Sequence, residues 1–209
     1  MSQRAPLLFA TGLAAAAGFA VIARAVARRD TAHIDRKVHK KTKVKRGRPA
    51  RKAAEAAAPI GKWFTYVPAA VLSGAYVLAS REGRDDVPSR IAGTVAILAA
   101  ACTAAAVNKQ FDELLPQPPP PPGRPPDHPV FPSGHAFGTS TVALTAAYVL
   151  SRERIARGAI VFPAALVVPV ASSIARLAEE KHWISDIAGG HLAAITLASL
   201  ALALYEMVP

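Results

Sequence analysis

The stretch IAGGHLAAITLASLALALY, residues 187–205, is the clearest indication of the fold. Its 19 residues contain no Asp, Glu, Lys or Arg, and a helix needs roughly 20 mostly apolar residues to cross a bilayer. Five more stretches share this property: Ala5–Ala23, Trp63–Ser80, Ile91–Asn108, Ala136–Ser151 and Gly158–Ala175. Inside lipid the backbone must satisfy its own hydrogen bonds, which favours helices. The sequence therefore predicts an all-α integral membrane bundle of six transmembrane helices.

Composition agrees with this interpretation. Apolar residues make up 52% of the 209 residues, the formal net charge is +11, and Cys102 is the single cysteine. Extensive disorder is excluded by the apolar content, and a disulfide scaffold by the cysteine count. The alternative is an alanine-rich soluble helical bundle. It is disfavoured because the six stretches lack a polar residue at every third or fourth position.

The chain divides into three regions. Residues 1–27 form the first span, which we interpret as retained because Arg28 and Arg29 follow it. The alternative is a cleaved signal peptide, since Ala25-Val26-Ala27 loosely resembles a cleavage site. Residues 28–62 form a basic connection, and residues 63–209 form a five-span core.

The basic connection carries 13 Lys or Arg residues against Asp30, Asp35 and Glu55. We expect it to lie along the membrane surface and bind anionic phospholipid headgroups, to which each basic residue contributes about 1 kcal/mol. A solvated charged face is the alternative for part of it. Nucleic-acid binding is disfavoured because the segment is tethered between two spans and carries no aromatic residue.

Ionisable residues collect at the ends of the last four spans, where they are costly and usually functional. With alternating spans, the two loops 109–135 and 176–186 face the same side of the membrane. They carry Lys109, Arg124, Ser133, Gly134, His135, Arg176, His182 and Asp186. Arginine matches phosphate geometry, and a helix N-terminus such as that after Ser133 binds anions. The excess of positive charge and the single nearby carboxylate disfavour a metal, and no cofactor is implied.

The two histidines have separable roles in phosphoryl transfer. His182 and Asp186 are four residues apart, one helical turn, so the carboxylate can fix the tautomer of the ring. His182 is then the candidate nucleophile, and His135 the candidate acid for the leaving oxygen. This pattern predicts a phosphohistidine intermediate.

Two motifs make the chain resemble the type 2 phosphatidic-acid phosphatase superfamily of integral-membrane lipid phosphatases. Pro132-Ser133-Gly134-His135 matches the second family motif. The third, Ser-Arg, five residues, His, three residues, Asp, is present as Arg176, His182 and Asp186, with Ala175 in place of the serine. In the first motif Arg-Pro follows a lysine after six residues. Here 14 residues separate Lys109 from Arg124-Pro125, and they include the run Pro118–Pro122.

The resemblance implies a metal-independent phosphoric monoester hydrolase acting on a lipid phosphate. By this resemblance His182 is the nucleophile, Asp186 its orienting partner and His135 the acid. The phosphate ligands are Arg176, Arg124, Lys109, Ser133 and Gly134. Family substrates include phosphatidate, phosphatidylglycerol phosphate and polyprenyl phosphates and pyrophosphates. The open alternatives are a lipid phosphotransferase and a non-catalytic membrane protein that binds anions or lipids.

The distribution of charge predicts the orientation of a multi-pass protein in the cell membrane. The side of the bundle that carries the two loops also carries the 13 basic residues. The opposite side carries seven: Arg4, Arg81, Arg84, Arg90, Arg152, Arg154 and Arg157. An excess of Lys and Arg marks the cytoplasmic side, whereas the family resemblance implies the outer side. We expect the cytoplasmic side.

Overall fold

The computed structural model describes residues 3–83 and 86–208. Arg84, Met1 and Pro209, which the predictions above include, therefore lie outside the described residues. Within them the chain is all-helical, which confirms the all-α expectation. The helices are α1 (Arg4–Ala27), α2 (Ala32–Thr42), α3 (Pro49–Ala57), α4 (Trp63–Ala79), α5 (Val87–Leu114), α6 (Gly134–Arg152), α7 (Gly158–Ala178) and α8 (Ile184–Tyr205), with a 3₁₀ turn at Ala58–Gly61.

Each of the six predicted stretches lies inside one helix, in the order α1, α4, α5, α6, α7 and α8, except that Ser80 follows the last residue of α4. Four of the described helices, α1, α5, α7 and α8, are long and apolar enough to cross a membrane, and α4 is apolar but shorter. Helix α6 does not reach that hydropathy because Gly, Ser and Thr interrupt it. Six transmembrane helices therefore stays a prediction.

Helix α6 is the centre of the bundle and packs against α4, α5, α7 and α8. Its buried threonines satisfy their hydroxyls within the helix, since Thr141 and Thr145 donate to the carbonyls four residues earlier at 2.8 and 2.7 Å. Gly138 is required by close packing, because a Cβ there would lie 2.2 Å from the ring of Tyr66. Small residues thus let the neighbouring helices approach α6 closely.

Polar side chains tie the helices together away from the loops. His191 on α8 bridges Ser140 on α6 and Ser173 on α7 at 2.8 and 3.0 Å. At the other end of the bundle, buried Glu153 accepts hydrogen bonds from Ser89 and Tyr205. These contacts fix the register of the helices that carry the two sequence motifs.

Candidate active site

The turn that opens α6 joins the two motifs. Ser133 caps the helix with its Oγ 3.5 Å from the Ala136 amide, and its own amide donates to the Asp186 carbonyl at 2.9 Å. Gly134 faces Asn108 on α5, and a Cβ at this position would lie 2.4 Å from Asn108 Oδ1. The turn therefore needs glycine, and it holds the start of α6 against the start of α8.

His182 is buried, and its hydrogen bonds define its tautomer. Its Nδ1 lies 3.0 Å from the Val130 carbonyl oxygen and 3.4 Å from Asp186 Oδ2. A carbonyl oxygen only accepts hydrogen bonds, so Nδ1 carries the ring hydrogen in the neutral form. The Nε2 lone pair is left available for attack on an electrophile.

Asp186 is fully buried at the first turn of α8. Its Oδ2 accepts from the Trp183 amide at 2.7 Å, which fixes the carboxylate beside His182. Its Oδ1 has no hydrogen-bond partner among the described residues. The carboxylate is therefore available to stabilise a positive charge on the imidazole of His182.

His135 stands across from the nucleophile candidate, with 6.5 Å between the centroids of the two imidazole rings. Its Nε2 lies 3.1 Å from the carbonyl oxygen of Ala58, in the turn before α4. That oxygen accepts only, so Nε2 carries the hydrogen. The space between the two rings is of the size that a phosphoryl group needs to reach both of them.

Two arginines make this space electropositive. Arg176 at the end of α7 is buried and donates to Glu179 at 2.5 Å, and Arg124 reaches in from the loop before α6. In both guanidinium groups Nε is buried and has no partner among the described residues. Leaving such a donor unpaired costs about 1–3 kcal/mol, so an anion between them would be stabilised.

The burial and charge of the site shift the ionisation of its loop residues. Burial lowers the pKa of His182 to about 3, and the charges of Arg124 and Arg176 act in the same direction. Burial also lowers the pKa of Arg124, while Asp112 and Asp186 oppose that change. His182 therefore stays neutral, which is the form that a nucleophile requires.

Lys109 lies apart from these groups. Its side chain is exposed on the last turns of α5 and forms no hydrogen bond or ion pair within the described part of the chain. The neighbouring Asn108 faces the turn instead and lines a cleft of about 160 Å³ with Lys62, Gly134 and His135. Sequence reasoning missed Asn108 and Lys62 because neither belongs to a motif.

The proline-rich loop 115–133, here called the strap, is held next to the site by hydrogen bonds along its length. The amide of Gln117 accepts from the Val130 and Phe131 amides at 2.9 Å each and donates to the Phe131 carbonyl at 2.8 Å. Trp183 donates to the Pro119 carbonyl at 2.8 Å, and Lys181 to the Gly123 carbonyl at 2.5 Å. The strap thereby positions both Arg124 and the carbonyl that binds His182.

The chemistry of this arrangement suits an oxyanion. Two guanidinium groups with unpaired donors, a helix N-terminus and two histidines surround one space, whereas the described residues contain no group of three His, Cys, Asp or Glu that could hold a metal. The predicted residues His135, His182, Asp186, Arg176, Arg124, Ser133 and Gly134 come together, and Lys109 lies outside the cluster.

Comparisons with known proteins give a family and a similar fold. The family model of the PAP2 superfamily matches residues 10–208. A comparison with curated proteins gives no match. The fold is similar to the crystal structure of a transmembrane PAP2-type phosphatidylglycerolphosphate phosphatase from Bacillus subtilis, with a TM-score of 0.79 and 20% sequence identity. The match covers 95% of this chain and 98% of that chain.

Proposed function

The chain belongs to the PAP2 superfamily, and on that premise we propose that it is a membrane phosphatase that hydrolyses a lipid phosphate monoester or pyrophosphate through a phosphohistidine. The family resemblance inferred from the sequence is thereby confirmed, and it supports a lipid phosphatase. One observation carries the proposed mechanism. The Nδ1 of His182 is committed to Val130 and Asp186, so Nε2 is free beside two arginines with unpaired donors.

In the first step His182 Nε2 attacks phosphorus. The P–N bond forms while the bond from phosphorus to the lipid oxygen breaks. His135 enters this step as the imidazolium, with a hydrogen on both ring nitrogens. It gives up its Ala58 partner, donates the Nε2 proton to the departing oxygen and is left neutral. Arg124 and Arg176 donate to the equatorial oxygens, whose charge is more exposed in the transition state than in the bound substrate.

In the second step a water molecule attacks the phosphohistidine. His135 accepts a proton from this water, the P–N bond breaks, and inorganic phosphate leaves with His182 restored to its neutral form. Asp186 stabilises the imidazolium in both steps and prevents the ring from turning. The sequence of proton transfers needs no additional acid or base.

A cavity that begins next to the site supports a substrate with a hydrocarbon chain. It occupies about 410 Å³ between α4, α6 and α7 and is lined mostly by apolar side chains. One end is at Thr139, whose hydroxyl donates to the His135 carbonyl at 2.6 Å, and the other end is at Leu150. The 11 helical steps between these two residues correspond to a rise of about 16 Å, which suits a hydrocarbon chain attached to a phosphate held at His135.

This position for a hydrocarbon chain supports a substrate of the phosphatidate, phosphatidylglycerol phosphate or polyprenyl phosphate type. The B. subtilis protein is described as a phosphatidylglycerolphosphate phosphatase, so that lipid is the first substrate to test. In the membrane, six helices would span the bilayer. The exposed basic residues of α2, among them Lys37 and Lys40, would contact anionic phospholipids.

The orientation of the site is tested with one introduced cysteine. Arg46 is exposed in the basic connection on the same side as the site, and Cys102 is the single native cysteine. In a Cys102→Ala background, Arg46→Cys is expected to stay unlabelled by a membrane-impermeant thiol reagent in intact cells. Labelling before lysis would place the site outside.

The function is tested by phosphate release from a panel of lipid phosphates, with detergent-solubilised protein and a chelator present. His182→Ala is assayed in parallel, with folding checked by its melting temperature. Release that survives chelation and is lost in the variant is the expected result. Release that depends on an added alcohol would favour a phosphotransferase. No release by folded wild-type protein would overturn the proposal in favour of anion or lipid binding alone.

A further inference from the structure

The short segment that carries His182 is held from outside by the basic connection. This segment, residues 179–183, joins the end of α7 to the start of α8. Helices α2 and α3, here called the arm, pack against α7 and α8. Although most arm residues are exposed, Asp35 and Arg51 are 6% and 3% exposed. Their burial shows that these two charged side chains belong to the contact between the arm and the bundle.

Asp35 caps the start of α8. Its Oδ1 accepts from the Ser185 amide at 3.1 Å, and its Oδ2 accepts from the Ser185 hydroxyl at 2.9 Å. A carboxylate at a helix N-terminus is favourable because the unpaired amides and the helix dipole are positive there. Ser185 directly precedes Asp186, so a displacement of Ser185 would move the carboxylate that orients His182.

Arg51 caps the end of α7. Its Nη1 donates to the Ala178 carbonyl at 2.7 Å, while its Nε pairs with Glu55 at 2.9 Å. The Val44 amide donates to the same carbonyl at 3.2 Å. A cation is favourable at a helix C-terminus, and Ala178 lies two residues beyond Arg176. The arm thus holds the last turn of α7, from which a phosphate ligand projects.

Contacts between these two caps complete the attachment. His39 on α2 lies 3.2 Å from Glu180, and its ring packs edge-on against Trp183 with 5.5 Å between centroids. Ala175, which stands where the family motif has serine, packs with Ala178 against Ala54 on α3. The arm therefore contacts the segment 179–183 itself and the two helix ends that flank it.

From these contacts we infer that the arm positions the segment 179–183, and that Asp35 and Arg51 are positioning residues for His182, Asp186 and Arg176. This inference rests on the proposed function of these three residues. Neither Asp35 nor Arg51 is assigned a contact with the substrate. Their loss should therefore impair the geometry of the transition state more than substrate binding, which lowers kcat and leaves KM little changed.

The test compares Asp35→Ala with Asp30→Ala. Both variants remove one carboxylate from the same connection, but Asp30 is exposed and its side chain makes no hydrogen bond among the described residues. Asp35→Ala is expected to lower kcat at least tenfold with KM within twofold of wild type. Asp30→Ala is expected to match wild type. Equal losses in both variants, or no loss in Asp35→Ala, would overturn the inference.

A second variant acts from the other side of the contact. Ser185→Ala removes one of the two hydrogen bonds and is expected to lower kcat about threefold. Combined with Asp35→Ala it should add little, because both changes remove the same interaction. Additive losses would contradict the direct contact. If Asp35→Ala does not fold, an unchanged kcat in Ser185→Ala alone overturns the inference.

Amide hydrogen exchange gives a measurement that does not depend on turnover. Residues 178–186 are expected to exchange at least tenfold faster in Asp35→Ala than in wild type or Asp30→Ala, while α5 is unchanged. Unchanged exchange in this segment would refute the positioning role. Faster exchange in a protein without phosphatase activity would support the positioning role while the proposed function fails, so the two failures are distinguishable.

Discussion

Replacing Asp186 with Asn removes the negative charge that stabilises His182 as it becomes a cation. The charged atoms would be 3.4 Å apart. At an effective dielectric constant of about 20, this separation corresponds to about 5 kcal/mol, or between three and four orders of magnitude in rate. The Val130 carbonyl, 3.0 Å from Nδ1, stays in the variant and retains part of the stabilisation. We therefore expect kcat to fall about 10³-fold.

Asn is nearly isosteric with Asp and keeps a carbonyl oxygen for the Trp183 amide, so the start of α8 should remain folded. The assay is steady-state phosphate release at saturating short-chain lipid phosphate, with the melting temperature measured alongside. Asp127→Asn is the matched control, because Asp127 is exposed on the strap and its side chain makes no hydrogen bond or ion pair among the described residues. An Asp186→Asn variant within tenfold of wild type would refute the assigned role of the carboxylate.

Three further changes test the turn, the ionisation of the nucleophile and the cavity. Gly134→Ala places a Cβ 2.4 Å from Asn108 and is expected to abolish turnover, and Asn108→Gly in the same chain should restore part of it. The pKa of His182 is lowered to about 3 from 6.5, so below pH 6.5 the unfolded chain binds a proton that the folded chain does not. Wild type should then lose stability on acidification, by up to about 1.4 kcal/mol per pH unit, and thermal melts of His182→Asn should show a smaller loss. Ala143→Phe narrows the cavity and should raise KM at least tenfold for long-chain substrates but not for short-chain substrates. Ala99→Phe, on the exposed face of α5, is the control and should leave both KM values unchanged. Equal effects of the two variants on the KM for long-chain substrates would contradict the role of the cavity.

The central part of the site could be predicted because its residues lie in short motifs at the ends of long apolar helices. The alternation of the chain across the bundle brings the ends of α5 and α7 to the same side as the starts of α6 and α8. His135 and His182 meet for that reason, with 6.5 Å between ring centroids. The spacing of four residues likewise places Asp186 beside His182, as one turn of helix requires.

The contacts around the site could not be predicted, because no local pattern marks them. Asp35 and Arg51 occur in a highly charged stretch, and their composition favours a solvent-facing or lipid-facing position. Their burial depends on helix ends about 130 to 150 residues away in the chain, where the unpaired backbone groups attract charge. The role of Gln117 likewise depends on its hydrogen bonds with the backbone amides of Val130 and Phe131.

Lys109 and Asn108 show why the sequence did not reveal which residue at the end of α5 faces the site. Successive residues on a helix differ by about 100° in direction, so one position decides which side chain faces the turn at Gly134. The insertion of the proline run separates the lysine from Arg124 and removes the spacing that would relate them. Hydropathy is also a poor guide to α6, since the residues that let it pack centrally are the small and polar ones.

The most direct test of the phosphohistidine mechanism is to trap the covalent intermediate. Detergent-solubilised protein is mixed with a lipid phosphate labelled in its phosphoryl group, quenched in alkali within milliseconds, and digested for identification of the labelled peptide. The mechanism predicts an acid-labile label on His182 that forms and decays at rates consistent with turnover, and that is missing in His182→Ala. Steady turnover with no labelled histidine, or a label on another residue, would contradict it.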